Sequence, residues 1–324
     1  MRRNPYKIGR TRGISPRLKQ WLNNLPSLKG HEGRWLRRGL IFILLIPIAL
    51  LAVHFLKPET SLQNSVEIGR VRSKGVLTVA VRSDMPGFCE NGEGLEAELA
   101  LRLARRILPD AEEPLKLVPV TSTTVTTKLA DGSVDLAAAL KTKSSGSGYA
   151  YSYAYYTDTV YAVTLDRARV SQPVHELRVG YIPNTPAGTV FASYVRELTA
   201  APEQSMLDKL LRRPAPTAAP GSITSVDTVR LGSYEELLDA LLSGRIDAAV
   251  MAGAYVHKYF EAEREALELP ECYLLEQTVG EVEYRFMANS EDPALTRLAD
   301  MMIYEMKSSG ELDKLVEKYI GQRG

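Results

Sequence analysis

Residues 75–88 read GVLTVAVRSDMPGF and residues 94–107 read GLEAELALRLARRI. The first stretch is a short apolar, β-rich run, Gly75 to Val81, opening onto a polar loop, Arg82 to Phe88. A run of that length ending in such a loop predicts a buried strand. The second sets Leu95, Leu99, Leu103 and Ile107 four apart with Arg and Glu between them. That spacing gives one apolar stripe, and so an amphipathic helix over 94–108. Downstream the reading continues with a strand at Lys116–Val120, a helical piece at Thr126–Ala130, a Gly turn at Gly132 and a strand at Val134–Leu140. Strands alternating with helices predict an α/β architecture with parallel pairing.

The phrase recurs. Leu177–Ile182 is a strand opening onto Pro183–Gly188, and Thr228–Leu231 is another. Tyr234–Leu242 is a helix, Gly244 a turn, and Ile246–Met251 a strand. The unit of helix, Gly and [VI]-D-[LA]-A-[AV] therefore occurs twice, at 128–140 and 236–250. Two such lobes present strand ends to a shared cleft, and ligands of open α/β sheets bind at the carboxyl ends of strands. Thr157–Leu165 and Glu281–Met287 are the extended segments expected to cross between lobes. Pro293–Met306 and Glu311–Tyr319 read as amphipathic helices, and Thr199–Thr224, rich in Ala, Pro and Ser, as a loose insertion with one short helix at Ser205–Leu211.

The N-terminal part differs in kind. Gly39–Leu56, GLIFILLIPIALLAVHFL, has no charged residue. As a helix it would reach roughly 27 Å, close to the hydrocarbon thickness of a bilayer. Residues 1–38 carry 11 Lys or Arg against Glu32 alone, a charge of +10, while residues 57–324 carry 29 against 38 acids, a charge of −9. Basic flanks stay cytoplasmic, so the chain reads as a cytoplasmic arm (1–38), a single-pass anchor (39–56), a polar stalk (57–74) and a large extracytoplasmic part. A cleaved signal peptide is the alternative to a retained anchor. The acidic balance of the large part argues against nucleic acid. Cys89 and Cys272, 183 positions apart, leave pairing open.

This order of segments resembles the family-3 extracellular solute-binding proteins that serve polar amino-acid ABC importers. The resemblance rests on the phrases at 75–88 and 94–107, Gly132-Ser-Val-Asp-Leu136, Tyr151-Ser-Tyr-Ala-Tyr-Tyr-Thr-Asp158, VGYIPNTPAG at 179–188, Leu241-Leu-Ser-Gly-Arg-Ile-Asp-Ala248, and Met306 to Tyr319. It implies a two-lobe, type II periplasmic-binding-protein-like fold joined by two crossover strands. Lobe 1 would span 75–165 and lobe 2 166–280, with 281–324 returning to lobe 1. It also implies a small polar solute and an ABC permease as partners. Members that bind amino acids hold the α-carboxylate with an Arg in a T-x-x-R phrase; a bidentate guanidinium suits that task. Here the stretch is Lys141-Thr-Lys-Ser-Ser-Gly-Ser-Gly148, with no Arg; Lys143 is the nearest cation and Lys141 is next. The Asp expected five residues after Asp247 is Ala252.

The candidate ligand-binding residues are Asp84, Phe88, Thr142, Lys143, Asn184 and Thr185. Asp84 and Phe88 stand at the mouth of the first strand, as a cleft wall or as a loop cap and ordinary packing. Thr142 aligns with a ligand-bonding hydroxyl of the family, and Lys143 is an anion partner or a solvated loop lysine. Asn184 and Thr185 open a helix, where they can hold an anion or simply cap it. The tyrosines at 149, 151, 153, 155, 156 and 161 fit one face of an extended segment better than a ligand platform. The four His residues lack metal spacing, and no nucleophile elbow or phosphate loop occurs. No catalytic residue, cofactor or metal is expected. The function expected is that of a membrane-anchored solute receptor for an importer; the alternative is a degenerate binding domain acting as an envelope sensor or protein-interaction module.

Overall fold

The computed structural model describes residue 62 and residues 64–144, 148–200, 225–289 and 293–321. The basic arm, the apolar run at 39–56 and the short helix expected at 205–211 lie outside the described residues. Among the described residues no helix is long and apolar enough to cross a membrane.

Each half of the sheet begins with a buried strand. Strand β1 (Leu77–Val81) is buried at every position, as its apolar run requires when parallel neighbours flank both edges. It pairs in parallel with β4 (Leu115–Pro119) on one side and β5 (Leu136–Ala137) on the other. Strand β7 (Val179–Tyr181) pairs in parallel with β8 (Thr228–Arg230) and β9 (Ala248–Ala252). Both triplets thus place their first strand in the middle, the second outside and the third inside. Two long antiparallel strands, β6 (Tyr149–Thr164) and β11 (Gly280–Asn289), lie between β5 and β9, giving the order β4-β1-β5-β11-β6-β9-β7-β8. The short β10 (Tyr273–Leu274) adds to β6, and β2 (Asp84–Met85) pairs with β3 (Cys89–Glu90) off the main sheet.

The repeated phrase has a repeated structural cause. After helix α3 (Val125–Ala130) the chain turns at Gly132, φ +70°, and after α5 (Tyr234–Leu242) at Gly244, φ +69°. Both are left-handed positions that glycine takes at low cost. The Asp that follows each turn clamps the start of the neighbouring strand. Asp135 accepts from Thr78 N at 3.0 Å and Asp247 from Arg178 N at 2.9 Å. Each also holds a cation, Lys74 and Arg178 respectively, at 2.9 Å. The Asp in this motif is therefore structural and sits at the strand starts, away from the carboxyl ends.

Helix α2 (Leu95–Ile107) lays Leu95, Leu99, Leu103 and Ile107 into the main core, as its spacing requires. Helices α7 (Ala294–Ser308) and α8 (Glu311–Ile320) join the same core and pair with α2 through Arg106–Glu305 at 2.7 Å and Arg102–Glu311 at 2.6 Å.

The structure departs from some expectations and decides points left open. The expected stalk carries helix α1 (Val66–Lys74), capped by Ser65 and buried through Ile68 and Val71, so it belongs to the folded unit. The strand expected over 134–140 shrinks to Leu136–Ala137 because the backbone turns at Leu140, φ +50°. Helix α4 (Pro186–Thr199) occupies a stretch read only as a helix start. The tyrosine-rich segment is the first half of β6; Tyr155 and Tyr156 are buried, and Tyr149 and Tyr151 pack on a smaller apolar cluster. Cys89 and Cys272 are both free thiols.

Candidate functional site

The carboxyl ends of β1, β5 and β9 carry the groups of the candidate site. Arg82 follows β1, Lys141 follows β5, and helix α6 (Gly253–His257), which continues into a π-turn over Lys258–Ala262, follows β9. Charged contacts run from the first half of the sheet to the second. Arg82 grips Asp84 through Nε and Nη2, both at 2.7 Å, and its Nη1 donates to Tyr255 Oη at 3.1 Å. Lys258 Nζ donates to Asp84 Oδ2 at 3.0 Å and to the Asp84 carbonyl at 2.9 Å. Lys258 is only 8% exposed, so the π-turn seats its charge against the loop after β1.

Aromatic rings wall this cluster. Tyr234, at the start of α5, stacks on Tyr255 with centroids 4.2 Å apart, and Tyr259 lies 5.6 Å from Tyr234. Arg82 stands 6.0 Å from the Tyr255 centroid and Lys258 5.6 Å from that of Tyr259, both within cation–π range. Beneath them Asp158, 3% exposed, accepts from Ala254 N at 2.9 Å and from the Tyr284 hydroxyl at 3.3 Å.

The electrostatics follow from these contacts. Bonds from Arg82 hold the Asp84 carboxyl well below the usual carboxylate range; burial opposes them and Lys258 adds to them. Burial works against the Arg82 charge, but Asp84 and Tyr255 outweigh it and keep the guanidinium firmly protonated. Lys141 is pushed below the usual lysine range by burial and by the neighbouring Arg82. Glu96, fully buried on α2, is pushed up to about 8 by burial, which its bonds from Tyr155 and Leu140 N and the charge of Arg82 only partly offset. Its Oε1 accepts from Leu140 N at 2.9 Å and from the Tyr155 hydroxyl, tying α2 to the end of β5 and to β6.

The family model for bacterial extracellular solute-binding proteins, family 3, matches residues 77–322. The chain belongs to this family. Solved structures of similar shape include a mutant of ArgBP from T. maritima (21% identity, 79% of this chain and 100% of that one, TM-score 0.53). Another is the amino acid ABC transporter substrate-binding protein AbpA from Streptococcus pneumoniae, bound to L-arginine (22% identity, 77% and 96%, TM-score 0.51). A third is the probable amino-acid ABC transporter extracellular-binding protein ytmK from Bacillus subtilis (16% identity, 76% and 98%, TM-score 0.55). No curated protein matches. These neighbours carry the type II periplasmic-binding-protein fold, and family 3 consists of solute-binding proteins, not enzymes.

Of the residues expected to bind ligand in this family-3 protein, Asp84 sits at the centre of the charged cluster. Phe88 is 1% exposed, with its ring edge-on to Tyr156 at 5.4 Å and to Tyr284 at 5.8 Å, so it is spent on core packing in this conformation. Thr142 is half-buried beside Lys141, and Lys143 is exposed. Thr185 caps α4: its hydroxyl accepts from Gly188 N at 3.0 Å and donates to the Ile182 carbonyl at 2.8 Å. Asn184 is exposed, in a left-handed turn at φ +64°. The residues not foreseen are Arg82, Tyr255, Lys258, Asp158 and Glu96. Arg82 had a usable signal, because it directly follows a predicted strand.

Lys258→Met is expected to lower folding stability by about 1–2 kcal/mol, because Asp84 keeps Arg82 and partial access to water. The urea midpoint at pH 7 measures this; an unchanged midpoint would show that the Lys258–Asp84 contact contributes nothing to folding. Asp84 has a depressed carboxyl, so its share of stability is present above its ordinary value of 3.8 and is lost as pH falls through the lowered one.

Proposed function

We propose that the chain is an extracytoplasmic receptor for a small polar solute, an amino acid or a related compound, delivering it to an ABC permease. The apolar run at 39–56 holds it to the membrane with the basic arm on the cytoplasmic side. Lobe 1 spans 75–165 and lobe 2 166–280, with 281–324 returning to lobe 1, and solute binds where Arg82, Asp84 and Lys141 face Tyr234, Tyr255 and Lys258. The observation that carries this reading is the set of contacts at the strand ends, Arg82 to Tyr255 and Lys258 to Asp84, between residues some 170 positions apart. Groups placed there can stabilise a closed state through contacts absent from an open one.

Thermal unfolding of the purified chain against amino acids, small peptides and organic acids tests the reading. A true ligand stabilises the native state by about 2.7 kcal/mol at 100 times Kd, so the midpoint should rise clearly for at least one compound and be confirmed by calorimetry. A flat response across the panel would sink the receptor reading. It would favour a degenerate domain that binds a protein partner, a reading supported by the missing T-x-x-R arginine and by Ala252.

A further inference from the structure

The bonds that cross the strand ends are direct. Arg82 donates to Tyr255 Oη at 3.1 Å, and Lys258 to the Asp84 carboxylate and carbonyl at 3.0 and 2.9 Å. They belong to the chain itself, so they favour the arrangement in which the two sides meet whether or not a solute is bound.

Ordinary surface ion pairs contribute little, because two long side chains must be ordered to make them. At these strand ends each side is ordered on its own. On the β1 side, the Asp84 carboxylate grips Nε and Nη2 of Arg82 and fixes the guanidinium fork. On the opposite side, Tyr255 stacks on Tyr234 with centroids 4.2 Å apart. The start of the helix that carries it is tied to β6, where Asp158 accepts from Ala254 N at 2.9 Å. Gly253 permits that approach: a Cβ there would stand 2.5 Å from Asp158 Oδ1. In the π-turn that follows, Glu263 N donates to the Lys258 carbonyl at 2.9 Å and fixes the backbone that carries the ammonium. Partners arranged before they meet lose less freedom on meeting, so more of each bond is left to hold the two sides together.

We propose that Tyr255 and Lys258 form a latch that keeps the cleft closed before solute arrives. The proposal rests on the receptor reading for one point, the assignment of Arg82 and Asp84 to lobe 1 and of Tyr255 and Lys258 to lobe 2. Each residue of the latch contributes about tenfold to the ratio of closed to open chains. Asp84 is half-exposed, which keeps the Lys258 share to that size. A solute that enters during a brief opening then meets an assembled site and needs no part of its affinity to close it.

Spin-label distance measurement on the purified full chain, exhaustively dialysed and with no solute added, tests this. Labels on Glu113→Cys and Leu242→Cys, both exposed, mark one lobe each, and Cys272→Ser removes the less buried native thiol. The chain with its latch intact should give one short distance. Tyr255→Phe with Lys258→Met keeps the ring and the stem but removes the crossing bonds. It should lower the closed-to-open ratio about a hundredfold, so that a longer distance appears. If the double variant fails to fold, Tyr255→Phe alone, which deletes one oxygen, should give a shift of about tenfold. A latched chain already at the longer distance, or latch variants that keep the short distance alone, would overturn the proposal and leave the receptor reading untouched, since no solute enters the measurement. A thermal panel without a hit would instead remove the receptor reading and leave the latch standing.

Discussion

Folding stability is expected to fall between pH 4.5 and about 8, and Glu96→Gln should abolish most of that fall. Glu96 ionises near 4.5 in an unfolded chain but is pushed up to about 8 when folded, chiefly by burial. Over that window the unfolded state has given up its proton and the folded state has not, so each rise in pH favours unfolding. The stabilisation is therefore full below the unfolded value and lost as pH rises through the folded one. At roughly 1.4 kcal/mol per tenfold change in proton affinity, the loss is on the order of 4 kcal/mol. Gln keeps an oxygen for Leu140 N and the Tyr155 hydroxyl but has no charge to bury. The variant should match the native chain near pH 4.5 and exceed it by several kcal/mol at pH 8. Urea unfolding at both pH values reads this directly; equal slopes in the two proteins would remove Glu96 as the cause. The effect reaches the site because Glu96 holds the left-handed Leu140, and Leu140 sets where Lys141 begins.

Gly94→Ala should be among the most damaging single substitutions in the first half. Gly94 has φ +133° and ψ −179°, a region open to essentially no residue but glycine. A Cβ there would stand 2.4 Å from the Phe88 carbonyl oxygen and 2.6 Å from its carbon. The loop cannot simply retreat, because Leu95 N and Glu96 N are bonded to the carbonyls of Gly87 and Phe88 at 2.8 and 2.9 Å. Backbone strain and overpacking together predict a loss on the order of 3 kcal/mol or more. Gly92→Ala is the matched control: its φ is +85°, but nothing lies within 4 Å of the added carbon, so about 1 kcal/mol is expected. Thermal and urea unfolding of both variants decide the matter. A Gly94→Ala protein within 1 kcal/mol of native would mean that the loop after Phe88 yields.

The repeated phrase was legible because Gly132 and Gly244, and then Asp135 and Asp247, do local work that residue type and spacing reveal. The helices were legible for the same reason: Leu95, Leu99, Leu103 and Ile107 need only their own periodicity. The site was not, because its partners are long-range. Arg82 meets Tyr255 across 173 positions and Lys258 meets Asp84 across 174, and nothing local couples them. Lys143, the nearest cation by sequence, is exposed while Lys141 is half-buried, a difference that residue spacing does not carry. Phe88 and Thr185 have side chains suited to ligand contact, but core packing and helix capping claimed them first, an outcome that depends on neighbours in space.

Strand β5 takes β11 as its inner neighbour, Ala137 against Met287, so the two are separated by 150 positions of chain. At a synthesis rate of about 5–20 residues per second, roughly 8–30 s pass before that edge is covered. Residues 166–279 emerge in one uninterrupted piece meanwhile, so β7, β8 and β9 can assemble while β1, β4 and β5 still expose an apolar, unpaired border. The nascent chain is thus most prone to misassociation in its earliest-made part, and lesions in α7 or α8 should reduce the yield of folded protein before they alter what it binds.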